Sequence, residues 1–111
     1  SVTSEMKYQV ILTARAERDL KVLTTRILRE APTRGAQWLD GLEDAVLSLE
    51  MMPDRCGEAA ESPSRTGKRI YELLYGTKPN VRRVLFTIDS KKHLVTVLTI
   101  RHGRQSNAKK L

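Results

Sequence analysis

Three runs of β-forming residues follow one another in the second half of the chain with almost nothing between them. Arg69 to Tyr75 leads into the turn cluster Gly76-Thr77-Lys78-Pro79-Asn80. Val81 to Ile88 leads into Asp89-Ser90-Lys91-Lys92, and His93 to Arg101 follows. Connections this short cannot carry a crossover, so consecutive strands must pair antiparallel. Their near-continuous apolarity calls for a partner layer over one face. The first half of the chain has to supply that layer.

It reads as a strand and then a helical hairpin. Tyr8 to Leu12 is a short β-prone run. Thr13 follows as an N-cap candidate, with Glu17 and Asp19 in the early turns where acids suit the helix dipole. Ala16, Leu20, Leu23 and Ile27 recur at helical spacing until Pro32 stops the helix. Thr33 offers a second N-cap, and Trp38, Leu42, Ala45, Val46 and Leu49 form a second apolar stripe that ends at Pro53. Residues 53–67 hold Pro53, Cys56, Gly57, Ser62, Pro63, Ser64 and Gly67 and read as a loop inside the domain. The predicted class is α+β in the order β-α-α-β-β-β: an antiparallel sheet with the hairpin packed on one face. Strand parity assigns Val84, Phe86, Ile88, Leu98 and Ile100 to the helix-covered side. The same parity puts Arg83, Leu85, Thr87, Val97, Thr99 and Arg101 on the open side.

A chain of 111 residues with 40% hydrophobic content suits one small domain. The domain is expected over residues 6–105, with 1–5 a tag remnant or leader and 106–111 a frayed tail. One cysteine, Cys56, cannot build a disulfide framework and reads as an inert loop thiol. No apolar run is long enough to span a membrane, and the N-terminus carries no signal-peptide pattern, so a cytoplasmic setting is expected. Charge is the uneven feature. Residues 1–64 hold eight Lys/Arg and eleven Asp/Glu, while 65–111 hold twelve and two, so the halves stand at −3 and +10 within a net +7. Such a basic half is a footprint for a polyanion or an acidic protein partner.

Several chemistries are excluded by pattern. Two histidines nine positions apart and a lone cysteine give no metal-site spacing, and no nucleophile elbow or phosphate-binding glycine loop is present. No cofactor is expected. What remains is a basic end: Arg69, Arg82, Arg83, Arg101, His102 and Arg104, with Glu72 one of two acids in that half. Planar guanidinium forks suit phosphate oxygens, and His102 or Glu72 could move protons near neutral pH. For Glu72 a structural ion pair with an arginine is the competing reading, and for His102 it is a cap on a strand end.

The order of these segments resembles the RelE/ParE superfamily of toxins from bacterial type II toxin–antitoxin, or plasmid-stabilisation, modules. The resemblance is carried by Met6 to Leu20, by Ile70-Tyr71-Glu72-Leu73, by Val81-Arg82-Arg83-Val84-Leu85-Phe86 and by Val97 to Arg104. It implies a compact β-α-α-β-β-β domain, growth arrest as the phenotype and a cognate antitoxin as partner, and it leaves homodimerisation of the free toxin open. It also implies one of two targets. ParE-like members inhibit DNA gyrase, whereas RelE-like members are ribosome-dependent, metal-independent mRNA endoribonucleases. Arg83 falls on the phosphate-binding arginine of the nucleases, and His102 or Arg104 near their C-terminal basic residues. In a nuclease the catalytic set would be Arg83, His102 and Glu72, with Arg69, Arg82, Arg101 and Arg104 binding nucleic acid or target. The sequence departs from RelE in having no tyrosine after Tyr75 and Glu72 where a lysine-like position falls. The gyrase inhibitor is the leading expectation, with the endoribonuclease and a non-toxic binding member as alternatives.

Overall fold

The computed structural model describes residues 7–103; the tag or leader, the expected domain limits at 6 and 105, Arg104 and the tail lie outside the described residues. Its elements run β1 (Gln9–Leu12), α1 (Ala14–Glu30), α2 (Pro32–Leu47), two short 3-10 turns (Ser48–Glu50 and Pro53–Arg55), β2 (Gly57–Glu58), β3 (Tyr71–Tyr75), β4 (Arg82–Asp89) and β5 (Leu94–His102). The predicted order holds, and the expected loop adds a two-residue strand, β2. Neither helix is long and apolar enough to cross a membrane.

The sheet order is β1-β5-β4-β3-β2. The β2–β3, β3–β4 and β4–β5 pairs are antiparallel, as their short connections demand. The β1–β5 pair is parallel, so the sheet is mixed rather than purely antiparallel. A short turn dictates the pairing only of the strands it joins directly. β1 meets a strand at the far end of the chain, and the helical hairpin between them provides the crossover that a parallel pair needs.

Thr13 caps α1 as its residue type suggests: its hydroxyl accepts from the Ala16 amide at 3.1 Å and donates to the Leu98 carbonyl at 2.9 Å. One side chain thus starts the helix and ties it to β5. Asp19 adds a second tie, accepting from the Thr99 hydroxyl at 2.5 Å and the Ile100 amide at 3.1 Å. The expected cap at Thr33 does not form. α2 begins at Pro32, whose missing N–H and fixed φ suit a first helical position, and Ala31 stands as N-cap without a side-chain bond. The two helices cross closely at Gly35, where a Cβ would sit 2.7 Å from the Ile27 side chain and 2.9 Å from its carbonyl oxygen.

Ala16, Leu23, Leu42, Val46 and Leu49 pack against Val84, Phe86, Val95, Val97 and Ile100 to form the main core, with Trp38 half-buried beside it. Two parity assignments are corrected here. Val97 lies in this core and Leu98 on the opposite face, against Ala59, Ile70 and Leu85. The cause is a β-bulge: Leu85 pairs with Thr99 and Phe86 with Val97, so Leu98 is an extra residue. One inserted residue shifts the alternation of everything before it.

Leu42→Ala should lower unfolding stability by about 2–5 kcal/mol, because Leu42 is fully enclosed. Leu47→Ala, at a side chain 46% exposed, should cost under about 1 kcal/mol. Urea unfolding of both variants checks the assignment of the α2 faces; equal losses would contradict it.

Candidate functional site

The basic end is built by β4 and β5 lying side by side. The register sets Arg82 opposite His102 and Arg83 opposite Arg101. Alternation along β4 then sends its two adjacent arginines to different faces. Arg82 goes to the helix side, where only 3% of it is exposed and its guanidinium carbon stands 5.9 Å from the Trp38 ring centroid. Burial, and then the nearby charge of Arg26, push its pKa below the ordinary arginine value. In this conformation it packs under the hairpin.

Arg83 and Arg101 go to the other face, as parity predicts, but that face is not open there. Each is 6% exposed. The segment from Ala59 to Ile70 straps over them, anchored by its buried ends and by the Ile70 carbonyl, which accepts from the Ala59 amide at 2.8 Å. The strap carries Glu61, itself 6% exposed. Arg83 donates from Nη1 to Glu61 Oε2 at 2.9 Å and from Nη2 to Oε1 at 2.7 Å. Arg101 donates from Nη1 to Glu61 Oε2 at 3.3 Å. Arg83 Nε donates to Glu72 Oε1 from the adjacent strand β3.

Bidentate Arg–carboxylate pairs are the strong form of this bond. The Arg83 bonds hold the Glu61 carboxyl below the ordinary carboxylate range despite its burial. Reciprocally, Glu61 first and then Glu72 raise the Arg83 pKa above its usual value. Arg101 is lowered, by burial first and then by the charge of Arg15.

Beside this network lies a pocket of about 510 Å³ lined by Glu72, Leu74, Lys78, Pro79, Val81, Arg83, His102 and Gly103. It brings together the three residues expected to carry nuclease chemistry. Arg69 is elsewhere, exposed and 3.9 Å from Glu58 in an ion pair. Arg104 lies outside the described residues. No group of three or more His, Cys, Asp or Glu among the described residues is placed to hold a metal ion. Cys56 is half-buried, and burial raises its thiol pKa, which suppresses the thiolate.

Glu61 is the functional-site residue that sequence reasoning misses. Glu61 belongs in sequence to the acidic half, residues 1–64, yet it neutralises two arginines of the basic one. The available signal was an acid within a Pro/Ser/Gly-rich stretch, followed nine residues later by the apolar Ile70-Tyr71, which anchors such a loop onto a sheet.

Removing one partner of a buried ion pair strands the others. Glu61→Gln should therefore destabilise the protein by about 3 kcal/mol or more at pH 7. A carboxyl with a depressed folded pKa contributes stability that is present above its unfolded value, about 4.3, and lost as pH falls through the folded value. Urea unfolding between pH 7 and 3 should show the wild-type protein losing stability on acidification more steeply than Glu61→Gln. Parallel curves would contradict the network.

Comparison with known proteins agrees with this architecture. Residues 10–107 match the family described as "ParE toxin of type II toxin-antitoxin system, parDE". Among solved structures, the chromosomal ParDE toxin–antitoxin system from P. aeruginosa is similar, with a TM-score of 0.64 at 14% identity over 87% of this chain and 97% of that one. The RelBE2 toxin–antitoxin complex from Mycobacterium tuberculosis aligns with a TM-score of 0.57 at 27% identity, over 87% and 92% of the two chains. A mutant of E. coli toxin RelE in the free state aligns with a TM-score of 0.61 at 14% identity, over 91% and 88%. A search of curated proteins returns no match. With nearly its whole length matched by the family model, the chain belongs to the ParE toxin family of type II toxin–antitoxin systems.

Proposed function

We propose that this toxin acts by binding DNA gyrase rather than by cutting mRNA, and that a cognate antitoxin neutralises it. The observation that carries this reading is the commitment of Arg83. A nuclease of this fold would need that guanidinium for a phosphate whose charge grows in the transition state. Here Glu61 takes the bidentate face and Glu72 takes Nε. A phosphate could displace Glu61 only by stripping a buried carboxylate of its bidentate partner and leaving it the single, longer bond from Arg101, at several kcal/mol. The carboxylates thus neutralise the charge that phosphate chemistry would use.

The antitoxin partner is supported by relatives described as toxin–antitoxin assemblies. An apolar groove between β1, α1 and α2 suits an amphipathic segment: Leu12, Leu20, Leu28, Leu39 and Leu47 line it, with Asp40 and Glu43 on its rim.

The endoribonuclease reading keeps one observation in its favour, the shared pocket of Glu72, Arg83 and His102. The two readings separate in one experiment. Purified toxin should block gyrase supercoiling and leave mRNA intact in a cell-free translation extract. Glu72→Gln, once a thermal melt has verified its folding, should still arrest growth on induced expression. Ribosome-dependent mRNA cleavage with supercoiling untouched, abolished by Glu72→Gln, would overturn the proposal in favour of the nuclease.

A further inference from the structure

Beyond the tip of the strap, the far face of the sheet opens into a second, cationic cleft. Its walls are the tight turn Ser64–Lys68, the start of α1 at Arg15, and the Thr87–Thr96 cross-strand pair. We propose that this cleft binds the phosphodiester backbone of duplex DNA without sequence preference.

Four features carry the inference. Arg15, Arg65 and Lys68 line the cleft, all three are exposed, and none makes an ion pair among the described residues. No carboxylate lines it; Glu58 of β2 is turned to Arg69, and Glu61 of the strap to the buried arginines. The Thr87 and Thr96 hydroxyls have no hydrogen-bond partner among the described residues, and Thr66 supplies a third hydroxyl at the turn. The turn itself is fixed in shape. The Lys68 amide donates to Ser64 Oγ at 3.0 Å, the Ser64 amide donates to the Lys68 carbonyl at 2.8 Å, and Gly67 takes φ +85°. Arg65 and Lys68 are therefore presented from a set backbone rather than a loose one.

Cations interleaved with hydroxyl donors are the groups that contact phosphate oxygens. The remainder of the lining decides between polyanions. Leu98 is its one large apolar side chain, too little for the buried apolar anchors of a protein interface. No aromatic side chain lines it, so unpaired bases have nothing to stack on, which favours a duplex over a single strand. The cleft is separate from the Glu72–His102 pocket, and the proposal stands whether or not gyrase is the target.

The test is fluorescence anisotropy of the full chain with a labelled 20-base-pair DNA duplex across a salt series, beside a single-stranded RNA of equal length. The test variant is Arg15→Ala/Arg65→Ala/Lys68→Ala. The control is Lys21→Ala/Lys91→Ala/Lys92→Ala, which removes equal charge from exposed positions outside the cleft. Thermal melts should match the wild type for both, since all six positions are exposed. Duplex binding should weaken about tenfold or more in the cleft variant at low salt, and its log K against log salt slope should flatten by about 2–3, as loss of three phosphate contacts requires. The control should change much less. Equal weakening in both variants would reduce the effect to net charge and overturn the site. So would tighter binding of the single-stranded RNA, or no duplex binding by wild type at low salt. Because none of these readouts involves supercoiling or translation, failure here is distinct from failure of the gyrase reading.

Discussion

The two central strands set like charges directly opposite each other. Arg83 on β4 and Arg101 on β5 are register partners, and both are buried. Such a pair destabilises a sheet unless something answers it. Glu61 does so from a segment remote in sequence from both strands, and among the described residues it is the one buried acid. From that contact follows the placement of the strap, the second small core of Ala59, Ile70 and Leu85, and the short β2 at the strap's root. The far face of the sheet is organised around one carboxylate.

The two faces consequently obey different physics. The helix side is an apolar layer whose stability grows with area buried. The strap side is a polar network whose net contribution to stability is small but whose parts are intolerant of separation. A buried pair of this kind fixes position more than it adds free energy, and here the position fixed is that of the arginine a nuclease would need. The same arrangement divides the basic half into charge neutralised within the fold and charge displayed at Lys68, Arg65 and their neighbours. Net charge counts both kinds alike, yet only the displayed kind can meet a partner.

The β5 bulge links the faces. It frees one residue, Leu98, whose side chain joins the strap's cluster while its carbonyl accepts from Thr13 at the start of α1. Asp19 then binds the next residues, Thr99 and Ile100. β5 is thus paired on both edges and pinned from above, which makes it the strand on which the N-terminal and C-terminal halves meet.

Local rules in the sequence determined much of this. Short turns compelled antiparallel pairing of β3, β4 and β5; Thr13 and the spacing of Ala16, Leu20, Leu23 and Ile27 specified α1; parity sent Arg82 and Arg83 to opposite faces. Each depends on residues close together in the chain, where backbone geometry leaves few choices. The basic half, with Glu72, Arg83 and His102 named within it, was legible for the same reason. Only the tertiary structure decided that β1 runs parallel to β5, that a bulge exchanges Val97 and Leu98, and that Glu61 rather than solvent faces Arg83 and Arg101. The β1–β5 pairing joins residues 85 positions apart and the Glu61 contacts join residues 22 and 40 apart, and no periodicity encodes them or the bulge. They follow from which groups must be satisfied when two layers close, and that demand exists only once the chain is folded.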